Sequence, residues 1–139
     1  MTEYPDRNAG GCLCGLVRYQ LDGPPMYAGH RYCCDCRKAS GSGFIPFMSY
    51  DADNVELSGK ATTFISVSAK GGDSARNFCP ICGALVFGGE IGKDTRFTIY
   101  AGTLDDPSIF VPKIAIFARG RPEWAMIPVD LAIFDSMPA

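Results

Sequence analysis

Short segments in which apolar and polar residues alternate recur along the chain, and they predict β-strands. In the first, Val17, Tyr19 and Leu21 alternate with polar neighbours, as expected for a strand with one buried face. Further β-rich segments are 44–50, 62–68, 84–90, 96–102 and 113–118. No long segment has the period of an amphipathic helix. The pattern therefore predicts a mainly β protein.

Two stretches favour short helical turns instead. One is "CDCRKASG" (34–41), which Gly41 or Gly43 would end, and the other is "RPEWAM" (121–126). Pro46 lies within a predicted strand, which suggests a sheet edge or a bulge there. Because we find no repeat, low-complexity run or linker, we predict a single domain over residues 1–139.

Composition excludes several classes of protein. The 139 residues carry a net charge of -2, which gives no basic footprint for nucleic acid. No apolar run reaches the roughly 18 residues of a membrane span. The polar N-terminal stretch lacks the features of a signal peptide. We therefore expect a cytoplasmic protein with neither nucleic acid nor membrane as its partner.

Seven cysteines are many for this length, and an odd number argues against a fully paired disulfide framework. In a reducing compartment, clustered cysteines more often bind metal or perform redox chemistry. They fall into three groups, which are Cys12 and Cys14; Cys33, Cys34 and Cys36; and Cys79 and Cys82.

The third group has the most specific spacing. In "FCPICGALVF" a C-x-x-C turn would point both sulfurs at one metal, and Gly83 would relieve crowding after the second cysteine. Structural zinc takes four ligands, and Cys12 and Cys14 can supply the other two. The alternative is a C-x-x-C redox pair, but such pairs usually begin a helix, whereas a strand-like segment follows here.

Five segments together resemble a known family. "GGCLCGLVRY", "CDCRKASGSGF", "FCPICGALVF", "TIYAGTLDDP" and "RPEWAMIPVD" are similar, in this order, to the glutathione-dependent formaldehyde-activating enzymes, a family that includes centromere protein V. The resemblance implies a zinc-stapled β-tent of small antiparallel sheets, akin to methionine sulfoxide reductase B. It also implies carbon–sulfur lyase chemistry, in which formaldehyde adds to glutathione to give S-hydroxymethylglutathione, or the reverse.

The resemblance implies two metal sites. Its structural zinc site maps onto Cys12, Cys14, Cys79 and Cys82. Its catalytic site, C-x-C-x-x-C, places its second and third ligands on Cys33 and Cys36, which are then the candidate catalytic residues. The first ligand falls on Arg31, and arginine cannot ligate zinc because it stays protonated.

The second site is therefore open to three interpretations. Cys33 and Cys36 could still bind zinc with Cys34 or His30 as a third ligand, or the site could be empty with free thiols. Alternatively, the chain keeps the fold and has lost the chemistry. Arg31 itself could hold a substrate carboxylate, or stand where the metal would have been and stabilise nearby thiolates by its charge.

Arg37 and Lys38 are candidate substrate-binding residues, since their charges could hold a carboxylate of a glutathione-like thiol; ordinary surface charge is the alternative. The two competing functions are a zinc-dependent lyase acting on a small-thiol adduct, and a non-catalytic zinc module that binds a thiol metabolite or a protein. A methionine sulfoxide reductase is disfavoured, because no cysteine follows Cys82. For a homo-oligomer, 110–124 offers an edge that could pair with a second copy.

Overall fold

The structure is a computed structural model that describes residues 4–68 and 71–138, and the chain is mainly β as the sequence predicts. The strands are β1 (Arg7–Gly11), β2 (Arg18–Asp22), β3 (Tyr27–Arg31), β4 (Ile45–Asp51), β5 (Val55–Ser58), β6 (Thr62–Val67), β7 (Asp73–Phe78), β8 (Leu85–Gly88), β9 (Arg96–Tyr100), β10 (Ile114–Ile116) and β11 (Ala132–Ile133). The described residues contain one α-helix, α1 (Cys34–Ser40), and short 3-10 turns at Ala52–Asn54, Ala101–Thr103, Pro107–Ile109 and Ala118–Gly120.

The strands form two sheets. A three-stranded antiparallel sheet has the order β1-β2-β5, and an eight-stranded sheet has the order β11-β10-β3-β4-β9-β8-β7-β6. Pairing in the larger sheet is antiparallel, except that β10 pairs in parallel with both β3 and β11. Neighbouring strands in space are thus often close in sequence, as is common for antiparallel sheets.

The main core lies between the two sheets. Val17, Tyr19 and Leu21 are at most 2% exposed and point into it, whereas the alternate residues of β2 point away. They pack with residues of the larger sheet such as Met48 and Phe87. The alternation seen in the sequence is therefore the alternation of core and solvent faces.

Three local expectations differ in outcome. The helix α1 forms and ends at Gly41, which adopts a left-handed conformation with φ of 73°. The stretch 121–126 is not helical and makes a turn in which Ala125 N donates to Pro122 O.

Strand β4, which contains Pro46, is an interior strand and not an edge. Pro46 is tolerated because β9 pairs only with Phe47–Asp51, so Pro46 precedes that ladder.

The expected exposed edge at 110–124 is also wrong. The strand in this segment, β10, has β3 on one side and β11 on the other, so its backbone hydrogen-bonding groups face neighbours in the same chain. In the described parts of the chain, no helix has the length and the apolar character that crossing a membrane requires.

The parallel contact between β3 and β10 depends on a glycine. A Cβ at Gly29 would overlap the carbonyl oxygen of Ile114 on the facing strand. We therefore expect Gly29→Ala to lower the free energy of unfolding by about 2 kcal/mol, the usual range for overpacking. Urea unfolding tests this. Gly72→Ala is the matched control, because a Cβ there meets no atom within 4 Å, and equal effects of the two variants would contradict the packing argument.

Candidate metal centre and active site

Four cysteine sulfurs from distant parts of the chain come together at one point. Cys12 and Cys14 follow β1, and Cys79 and Cys82 lie in the connection between β7 and β8. The four Sγ atoms all lie within 4.8 Å of one another. The Sγ of Cys14 is 3.7 Å from that of Cys12 and 3.6 Å from that of Cys79. The cluster thus joins the smaller sheet to the larger one.

Backbone amides support the sulfurs on both sides of the cluster. Val17 N donates to the Sγ of Cys12 at 3.2 Å, and Ile81 N donates to the Sγ of Cys79 at 3.4 Å. Gly83 closes the turn with φ of 76°, and its N–H donates to the carbonyl oxygen of Cys79. This is the C-x-x-C-G turn that the sequence indicates, and such amides stabilise negative charge on sulfur.

The four thiols of the cluster can all ionise only if a cation balances their charge. Burial opposes ionisation of Cys12, but the Val17 amide and the neighbouring thiols lower its pKa to about 6. The Leu16 amide lowers the pKa of Cys14, but burial and the other sulfurs outweigh it and raise that pKa to about 11. Four thiols this close cannot all ionise by themselves, because each thiolate repels the next. A bound dication removes this conflict.

The geometry fits a tetrahedral metal. Zinc–sulfur bonds of about 2.3 Å imply sulfur–sulfur separations of about 3.8 Å in a tetrahedron, close to the separations of 3.6 and 3.7 Å. A zinc ion with four cysteine ligands has no open coordination position, which is typical of a structural site. The cluster is therefore consistent with a zinc site held by Cys12, Cys14, Cys79 and Cys82.

Cys33 and Cys36 form a second, smaller group at the start of α1. They are joined as a disulfide, with their Cα atoms 5.1 Å apart. The Cys33 sulfur also accepts a hydrogen bond from Cys36 N at 3.2 Å, which caps the helix. The pair packs against Ile45, Leu85 and Tyr100.

Neither candidate third ligand joins this pair. The Cys34 side chain is exposed, and its sulfur accepts from Arg37 Nη2 at 3.5 Å. The His30 ring stacks on Phe44 at 4.3 Å between ring centroids, and burial lowers the pKa of its imidazole. Within residues 4–68 and 71–138, the four-cysteine cluster is the one group of three or more potential metal-ligating atoms.

The Arg31 side chain lines the same cavities as Cys33 and Cys36. Its guanidinium lies 5.4 Å from the ring centroid of Phe117 and 5.8 Å from that of Phe47. Burial lowers its pKa, and the nearby charge of Arg76 acts in the same direction, but arginine remains protonated in proteins. The residues present therefore do not fit the second zinc site, and we assign no chemical step to a metal there.

The cysteine pair borders two cavities. One of about 340 Å³ is lined by Cys33, Arg31, Arg76 and Phe117 among others. Another of about 200 Å³ is lined by Cys36, Arg31, Arg76 and Tyr100 among others. The sequence analysis did not single out Arg76, Tyr100 or Phe117. Only Phe117 has an unusual backbone, with φ of 54°, and no sequence signal marks the other two.

The two candidate substrate-binding residues lie on α1. Lys38 is exposed and lines a cavity of about 400 Å³ that also contains Arg76. Arg37 is half-buried and contacts the sulfur of Cys34. Both are thus on the helix that begins at the cysteine pair.

The fold and the cluster define a class of protein: a mainly β domain whose two sheets are joined at a four-cysteine site consistent with zinc. A family model described as "Glutathione-dependent formaldehyde-activating enzyme" matches residues 7–120. The chain belongs to the glutathione-dependent formaldehyde-activating enzyme family.

One curated protein and one solved structure are similar to this chain. A Halomonas elongata protein named "Putative glutathione-dependent formaldehyde-activating enzyme" is 27% identical over 124 residues, which cover 85% of this chain and 79% of that protein. A crystal structure of a Rhodobacter sphaeroides protein superposes with a TM-score of 0.52 and 15% identity, over 70% of this chain and 87% of the other. The second similarity supports the fold alone.

We predict that the purified protein contains one zinc ion per chain, and that Cys79→Ser reduces this to near zero and lowers the melting temperature, because a structural metal contributes folding energy. Elemental analysis and thermal unfolding measure both. Cys34→Ser is the control and should keep the metal, since its exposed sulfur lies outside the cluster. A second zinc that is lost in Cys33→Ser would contradict this assignment.

Proposed function

We propose that the protein acts as a carbon–sulfur lyase on a glutathione or related small-thiol adduct, with Cys33 and Cys36 as the reacting residues. The observation that carries the proposal is the position of this pair at the border of cavities of about 340 and 200 Å³, in a chain of this family. Cavities of this size suit a small molecule better than a macromolecule.

The proposed reaction is the breakdown or formation of an S-hydroxymethyl thiol. In breakdown, the carbon–sulfur bond breaks and its electron pair stays on sulfur. The hydroxyl oxygen forms the carbonyl of formaldehyde and releases its proton. A cysteine thiolate of the pair takes this proton and passes it to the leaving sulfur, so that the products are the free thiol and formaldehyde. Formation is the reverse.

The proposal requires the cysteine pair in its dithiol state. A small thiol such as glutathione supplies the two electrons by reducing the Cys33–Cys36 disulfide and is itself oxidised to its own disulfide. Arg37 and Lys38 are proposed to attract the carboxylates of the thiol, which is the role that their charge and their place on α1 support.

A second candidate function is a non-catalytic structural-zinc module that binds a thiol metabolite or a protein partner. Arg31 is the observation that favours it, because it occupies the sequence position of a metal ligand in the family pattern and cannot ligate zinc. The two functions make opposite predictions about reaction rates and the same prediction about the structural zinc.

The test is the rate of exchange between ¹³C-formaldehyde and S-hydroxymethylglutathione, measured by NMR exchange spectroscopy on the zinc-loaded, reduced protein. We expect the protein to accelerate the spontaneous exchange. Cys33→Ser and Cys36→Ser should each lose at least about tenfold of this acceleration, since general acid–base residues typically contribute 10²–10⁴-fold. Cys34→Ser is the matched control on the same helix and should retain the rate.

Two results would decide against the lyase. If the native reduced protein leaves the exchange at its spontaneous rate, the non-catalytic module is the better description. If all three serine variants keep the full acceleration, the reacting residues lie elsewhere.

A further inference from the structure

Two arginines beside the cysteine pair have buried hydrogen-bonding groups with no partner. The Nε atoms of Arg31 and Arg76 are buried, and neither has a hydrogen-bond partner in the described structure. Arg76 makes one side-chain hydrogen bond, from Nη1 to Ser66 Oγ at 3.4 Å. Buried polar groups in proteins are nearly always satisfied, so two buried Nε atoms without partners in arginines that line the same cavities require an explanation.

The two arginines line the same cavities although their strands are not adjacent in the large sheet. Arg31 is on β3 and Arg76 is on β7, and β4, β9 and β8 lie between those strands. In a flat sheet the two backbones would be about 19 Å apart. Nevertheless both side chains line the same two cavities, of about 200 and 340 Å³. The cavities are therefore concave, positively charged spaces next to Cys33 and Cys36.

No carboxylate of the described residues neutralises the two charges. Neither arginine forms a salt bridge within residues 4–68 and 71–138. Of the acidic residues that line the cavities, Asp73 pairs with Lys93 at 3.8 Å, and Asp94 accepts a hydrogen bond from Glu90 N at 2.7 Å. Asp35 is exposed at the start of α1. Arg31 and Arg76 thus face both cavities without a carboxylate partner, and Arg96 also lines the smaller one, so like charges lie close together, which is costly unless an anion binds there.

We propose that Arg31 and Arg76 bind a carboxylate group of a small ligand and hold that ligand against Cys33 and Cys36. Guanidinium groups pair with planar carboxylates through two parallel hydrogen bonds, and both arginines line the cavities in which such a carboxylate would sit. The identity of the ligand as a carboxylate-bearing thiol rests on the proposed function; the anion site itself does not.

This assignment gives Arg31 a binding role where the family pattern has a metal ligand. A metal would hold the substrate through its sulfur or oxygen, whereas a guanidinium holds it through an anionic group. The arginine site therefore selects substrates by charge: it binds a thiol adduct with a carboxylate near its sulfur and not a neutral thiol adduct.

Binding is tested by isothermal titration of the full zinc-loaded chain with S-methylglutathione, which has both carboxylates and no reactive thiol. Acetate and inorganic phosphate are the probes for the anion alone. We expect the affinity for S-methylglutathione to fall at least tenfold in Arg31→Met and in Arg76→Met. Lys60→Met is the control, because it removes one positive charge from an exposed side chain elsewhere and should leave the affinity unchanged.

Loss of folding is not expected to obscure the result. Methionine at position 31 would lie against Phe47 and Phe117, and exchanging a buried unpaired charge for an apolar side chain is often stabilising. We therefore expect Arg31→Met to melt at or above the native temperature without ligand, and S-methylglutathione to raise the melting temperature of the native chain only.

The outcomes separate this proposal from the lyase activity. Binding that depends on both arginines supports the site even if formaldehyde exchange is not accelerated. Equal affinity in the native chain, Arg31→Met and Arg76→Met would overturn the site. Phosphate binding more tightly than either carboxylate probe would overturn the assignment to a carboxylate.

Discussion

The meeting of four cysteine sulfurs is the constraint on which the rest of the structure depends. Cys14 and Cys79 are separated by 65 residues in sequence, yet their sulfurs are 3.6 Å apart. One pair follows the first strand of the small sheet and the other lies between two strands of the large sheet. A metal that binds all four closes this long loop and fixes the sheets against each other, which is where a metal clip is expected to stabilise most. The core formed by β2, β4, β8 and β9 lies between the two sheets that this metal joins.

The second cysteine group shows how the same scaffold can differ in its chemistry. Cys33 and Cys36 remain side by side at the start of α1, but Arg31 stands at the sequence position of the first ligand that the family resemblance implies. Its surroundings are aromatic, and its Nε has no hydrogen-bond partner in the described structure. An unpaired buried charge lowers stability, and proteins retain such strain mainly at functional sites. The proposed carboxylate site gives this charge a partner.

Much of the fold and of the metal cluster could be predicted from local sequence. The alternation of Val17, Tyr19 and Leu21 directly encodes a two-faced strand, and C-x-x-C-G directly encodes a turn that orients two sulfurs. Strands β1, β3, β5, β7 and β11 were not predicted, because each offers at most two apolar residues to set a pattern. Pro46 was misleading because a proline is compatible with an interior strand at a position where one neighbouring ladder has not yet begun.

The arginine pair could not be predicted because it depends on tertiary structure. Nothing in "DSARNF" distinguishes Arg76 from a surface residue of a β-strand. Arg76 and Arg31 line the same cavities only because the folded sheet sets their strands three intervening strands apart on one side of the molecule. Arg31, in contrast, could be noticed from local sequence. It stands where the cysteine pattern that includes Cys33 and Cys36 has its first ligand.

The most direct test of the central claim is zinc K-edge X-ray absorption of the native protein. A structure with metal only at Cys12, Cys14, Cys79 and Cys82 predicts a single shell of four sulfurs at about 2.3 Å. A spectrum with fewer than four sulfurs per zinc and an added nitrogen or oxygen shell at about 2.0–2.1 Å would show metal at a second, open site. That result would contradict the account in which the Arg31 guanidinium takes the place of a metal.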